Sequence, residues 1–127
     1  GVLAKLAPDA KPKTLEEIYA ARTLEVQGQP ARARFPLQAL RIGEVGITTL
    51  PNEVFSETGL ELKARNPFKP AFTVSLAHGY FGYLPTPEQH ALGGYETWLG
   101  TSRLEVEASV KMVDRLRGML ERLRTMP

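Results

Sequence analysis

The chain contains no cysteine among its 127 residues, a single tryptophan and only two histidines. Without thiols it has no disulfide scaffold and no thiolate zinc or iron–sulfur site. Charge of one sign is missing too. Sixteen Lys and Arg face fourteen Asp and Glu, and the resulting +2 is too small to argue for nucleic acid. No apolar run approaches the roughly 20 residues of a membrane-spanning helix, and no repeat or low-complexity tract occurs. What remains is ordinary for a globular domain: 43% hydrophobic and 24% charged residues, which excludes a disordered chain. The length suits one domain with one core. The chain opens Gly1-Val2-Leu3 with neither an initiator Met nor a signal-peptide pattern. It reads as a piece of something longer.

Residues 1–13, with Pro8 and Pro12 among lysines, read as a tether, and 14–127 as a single α/β domain. Thr14 and Glu17 match a capping box, and Leu15, Ile18 and Ala21 continue at helical spacing toward Gly28, predicting a helix over 15–27. Residues 34–42 and 45–50 read as two strands across Gly43-Glu44, a hairpin whose first strand Pro36 confines to an edge or a shorter stretch. Val54, Phe55, Thr58 and Leu62 predict a short helix through Arg65, with tight packing at Gly59. Phe72, Val74 and Leu76 then alternate in a strand over 72–77. Strand, helix, strand within about 30 residues is a parallel βαβ unit with a right-handed crossover.

Residues 78–100 carry little regular structure, although Thr86-Pro87-Glu88 can start one helical turn. Ser102 and Glu105 look like a second capping box. Val106, Val110, Val113, Leu116, Leu120 and Leu123, widened by Met112 and Met119, form an apolar stripe that predicts an amphipathic helix over 103–124. The expected fold is therefore α/β, or α+β: a small sheet with a hairpin and a parallel βαβ unit, packed by a long C-terminal helix.

Ligands of open α/β sheets collect beyond the carboxyl ends of parallel strands. Two such ends can be named. One delivers Pro51-Asn52-Glu53 and the other delivers His78-Gly79-Tyr80-Phe81-Gly82-Tyr83. If the two strands are neighbours, Glu53 meets the His/Tyr loop at one sheet edge. Glu53 also has a plain role, since an acid in a helix's first turn favours the macrodipole. Tyr80, Tyr83 and Tyr95 equally suit half-buried packing with wet hydroxyls. His78 and His90, twelve residues apart, do not make the His-rich set that a self-contained zinc site needs. Gly93-Gly94 is no phosphate loop, and Ser56, Ser75, Ser102 and Ser109 lack a nucleophile-elbow sequence. By motif alone the isolated chain is no catalyst.

Four blocks nevertheless resemble, in order and spacing, the neutral (non-lysosomal, alkaline-type) ceramidases and their bacterial relatives. They are Gln38-Ala39-Leu40-Arg41-Ile42-Gly43, then Leu50-Pro51-Asn52-Glu53-Val54-Phe55 with Thr58-Gly59, then Leu76-Ala77-His78-Gly79-Tyr80-Phe81-Gly82-Tyr83-Leu84-Pro85-Thr86, and Gly93-Gly94-Tyr95-Glu96. The resemblance spans Thr14 to the C-terminal helix. It implies the carboxy-terminal part of a zinc-dependent amidase that cleaves an N-acyl bond, N-acylsphingosine among the candidate substrates. It implies Glu53 and Tyr83 as zinc ligands and Tyr95 as the residue that stabilises the oxyanion. Asn52 stands where the family commonly has Gly, and Asn tolerates the left-handed conformation. The family's two early zinc-binding histidines have no counterpart in this chain. Partners so implied are an N-acyl amide or lipid substrate and the remainder of the catalytic domain, with zinc held in the full-length protein rather than here. Members of the family are often exported. A competing reading is a non-catalytic α/β interaction module whose 103–124 helix or sheet edge docks on a partner. The basic residues Arg103, Lys111, Arg115, Arg117, Arg122 and Arg124 are interrupted by Glu107, Asp114 and Glu121, the pattern of a solvated helix face. Cutting a domain exposes apolar surface, so the isolated chain is also expected to self-associate weakly.

Overall fold

The computed structural model describes residues 11–127. The expected tether lies outside the described residues up to position 10, and Lys11–Lys13 carry no regular structure.

The first helix, α1 (Leu15–Gln27), forms where the capping chemistry puts it. Thr14 accepts from the Glu17 backbone, and the Glu17 carboxylate accepts from the Thr14 backbone N–H at 3.1 Å. That carboxylate also takes the Lys13 N–H, and these backbone donors hold the Glu17 pKa below its usual range. The hairpin follows: β1 (Gln38–Ile42) and β2 (Val45–Thr49) pair antiparallel, with Gly43 supplying the positive φ that the two-residue turn needs. β1 begins only after Pro36 and forms the edge of the sheet, so both consequences expected of that proline hold.

A two-residue strand, β3 (Glu53–Val54), precedes α2 (Ser56–Ala64), so the predicted helix loses Val54 to the strand and Phe55 to the N-cap position. The tight packing expected at Gly59 is not there, because a Cβ at that position would meet nothing within 4 Å. β4 (Ala71–Val74) returns parallel to β2, giving a three-stranded sheet ordered β1-β2-β4. β5 (Tyr83–Leu84), α3 (Pro87–Leu92) and a 3-10 turn (Tyr95–Thr97) occupy the stretch expected to be mostly irregular. Pro87 opens α3 after a Thr86 cap, as anticipated.

The long C-terminal helix α4 runs Ala108–Thr125 and starts five residues later than predicted. Ser102 does not cap it. Instead Ser102 forms bridges to Gly82 and Leu99, and the Glu105 carboxylate is drawn to Lys111 at 2.6 Å. The buried stripe is Ser109, Met112, Val113, Leu116 and Leu120; Val106 precedes the helix, and both Val106 and Val110 are exposed.

α4 and α2 cover one face of the sheet. Gly46 admits the loop after α2, lying so near Asn66 and Phe68 that a Cβ would collide with them. The core joins Leu50, Leu62, Leu84, Met112, Val113 and Leu116, drawn from both sheets and both helices. Each fully buried leucine contributes roughly 2 kcal/mol of transfer free energy. Among the described residues the opposite face is largely uncovered, Thr49 at its end being buried. Leu40 pairs in register with Ile47 and Ile47 with Phe72, placing them in one row across three strands. Phe72 is 50% exposed, Leu40 45% and Ile42 66%, and no charged side chain shares the face.

Candidate functional site

The two parallel strands β2 and β4 do not stop at the sheet's end. Backbone bonds continue past it, from Leu50 N–H to Val74 O, Ala77 N–H to Leu50 O, and Leu76 N–H to Asn52 O, each at 3.0 Å. The two chains leave side by side and pair again as β3 and β5, parallel, with Glu53 opposite Tyr83. The expected meeting of Glu53 with the His/Tyr loop therefore occurs, on a second, two-stranded sheet. Glu53 lies before α2, whose first-turn acid is Glu57, so the macrodipole does not account for its position.

Asn52 sets this junction. Its side chain is fully buried and its Nδ2 donates to Gly82 O at 3.2 Å, beside the Glu53 N–H bond to the same oxygen at 3.1 Å. Tyr83 N–H in turn donates to Thr101 O at 3.1 Å. The connecting loop holds Leu76 and His78 at positive φ, 56° and 64°. A bulky residue such as leucine there is a local strain, of the kind that collects at functional sites.

At the cleft itself the Tyr83 and Tyr95 hydroxyl oxygens are 3.2 Å apart, their rings edge to face at 5.7 Å. The Tyr95 hydrogen bond, and after it the Glu53 carboxylate, push the Tyr83 pKa well above the usual phenol range. Glu53 likewise raises Tyr80, first by hydrogen bonding to its hydroxyl. Either hydroxyl can be the donor in the Tyr83–Tyr95 bond. Glu53, Phe55, Leu76, Tyr83, Tyr95 and Glu96 line an open cleft of about 400 Å³.

The structure thus brings together all three residues singled out by the sequence, Glu53, Tyr83 and Tyr95. His78 and His90 do not line the cleft. Sequence reasoning left Tyr80 as a packing residue and passed over Glu96 as a cleft wall. The three-residue offset from Tyr83 and the adjacency to Tyr95 were the available signals. As for a metal, no cluster of three or more His, Asp or Glu able to hold one exists among the described residues. Glu53 and Tyr83 offer two oxygen donors, and zinc takes about three protein ligands besides its open position. The described residues fit part of a zinc site and do not complete one.

Comparison of the chain with family models, characterised proteins and solved structures finds no match.

Proposed function

We propose that this chain is the carboxy-terminal part of the catalytic domain of a zinc-dependent amidase resembling the neutral ceramidases, acting on an N-acyl amide and inactive on its own. The observation that carries the reading is the convergence of Glu53, Tyr83 and Tyr95 from three separate blocks of sequence on one cleft. In this reading the Glu53 carboxylate and Tyr83 oxygen would hold the metal together with two imidazoles from outside the chain. Zinc bound there would supply an activated water, its pKa lowered toward ~7, and Lewis acidity toward an amide carbonyl. The Tyr95 hydroxyl donates to the oxygen on which negative charge develops, a contribution of about 3 kcal/mol for one donor.

The uncovered sheet face supports the same reading. Parallel strands are usually covered on both faces, and here an apolar layer from the rest of the catalytic domain would complete the cover. A second copy is a poorer occupant. Three strands about 4.8 Å apart and five residues long present roughly 200 Å² of sheet, against about 800 Å² per partner in a stable dimer. The same uncharged face is the one observation favouring a non-catalytic interaction module.

Metal dependence separates the two readings. The full-length protein is expected to release fatty acid from an N-acyl amine, to lose that activity on chelation and to regain it with added zinc. Hydrolysis that survives exhaustive metal removal would overturn the amidase reading.

A further inference from the structure

The 29–37 segment and the start of α4 border a second cleft, of about 1140 Å³, above the usual 300–1,000 Å³ of small-molecule sites. Its floor is apolar, built from Phe35, Leu37, Phe81, Leu104 and Met112. Phe35 and Phe81 pack with their rings tilted at 42° and centroids 5.0 Å apart, which firms that floor. Its rim is cationic: Arg32, Arg103, Lys111 and Arg115, all exposed. Among the described residues the one carboxylate on the rim, Glu105, is taken by Lys111 at 2.6 Å. Among the described residues the three arginines have no ion-pair partner, and Arg103 reaches only the Gln29 amide at 3.4 Å.

We propose that this cleft binds one single-chain anionic amphiphile, its alkyl chain on the aromatic and aliphatic floor and its head group between Arg103 and Arg115. A small polar anion would leave the floor wet, and a neutral hydrocarbon would leave three guanidinium groups unanswered. A bilayer surface cannot follow a concave floor, so the ligand enters as a single molecule. Guanidinium forks match the planar oxygens of a carboxylate better than an ammonium does. Tyr80 lines this cleft as well. The inference rests on the cleft's lining alone and stands whether or not the amidase reading does.

The test is calorimetric titration of the chain with laurate below its micelle concentration. Butyrate, dodecyltrimethylammonium and phosphatidylglycerol vesicles serve as comparators. One laurate is expected to bind per chain, with butyrate and dodecyltrimethylammonium at least about tenfold weaker. The Arg103→Gln/Arg115→Gln double variant changes two exposed side chains and should fold normally. It is expected to weaken laurate at least about tenfold, as loss of charged hydrogen bonds requires. Phe72→Gln, on the uncovered sheet face, should leave laurate binding unchanged. Equal binding of dodecyltrimethylammonium would overturn the proposal, as would undiminished binding by the double variant. So would loss of binding in Phe72→Gln, or adsorption to vesicles without monomer binding.

Discussion

Replacing Glu53 by alanine in the full-length protein is expected to cut amide hydrolysis by well over 100-fold. Loss of a partner that merely supports a metal ligand typically costs 10–100-fold, and Glu53 is proposed as the ligand itself. The substitution removes the carboxylate that sits opposite Tyr83 and raises the pKa of both Tyr80 and Tyr83. It also removes the only carboxylate on the β3–β5 pair. Glu53 is half-buried and its backbone bond to Gly82 does not involve the side chain, so the variant should keep the wild-type circular dichroism spectrum and melt. Glu53→Gln, which keeps a neutral oxygen in place, should fall between the two. Full activity in Glu53→Ala would remove Glu53 from the chemistry.

Gly82→Ala should be the most damaging single-methyl change in the site's framework. Gly82 has φ +80°, where an L-residue pays about 1–2 kcal/mol. An added Cβ would also drive into the Thr101 carbonyl oxygen, a backbone atom that cannot swing aside. Overpacking of this kind costs a further 1–3 kcal/mol or so. The Gly82 carbonyl holds both Asn52 and Glu53, so relief of the clash moves the strand that carries Tyr83. The expected loss is about 3 kcal/mol, or on the order of 10 °C in Tm for a chain of this size. Gly93→Ala is the matched control. Its φ is +82°, yet a Cβ there meets nothing within 4 Å, so it should show the backbone cost alone. Equal destabilisation of the two variants in thermal melts would mean that the Gly82–Thr101 approach is not tight.

Features legible in the sequence were those with local chemistry behind them. The Thr14/Glu17 box, the Gly43-Glu44 turn, Pro87 at the start of α3 and the parallel return of β4 all stand as read. The late start of α4 shows where local chemistry loses. Ser102 and Glu105 have capping spacing, but a β-bridge to Gly82 and an ion pair to Lys111 claim them first. Two-residue strands such as β3 and β5 carry no periodicity, so the second sheet could not be read directly. Its residues could be approached only by asking what the parallel strands deliver beyond their ends. The alternation of Phe72 and Val74 was visible as one face, but the strand ends at Val74, and Leu76, read as its third member, lies in the loop beyond it. That this face is the uncovered one depends on which side α4 and α2 choose.

Anomalous diffraction at the zinc edge from crystals of the full-length protein addresses the central claim most directly. The account predicts a peak about 2.0–2.2 Å from a Glu53 carboxylate oxygen, with the Tyr83 oxygen also in the coordination sphere. A zinc peak remote from both oxygens, or none in a protein that still hydrolyses amides, would contradict it.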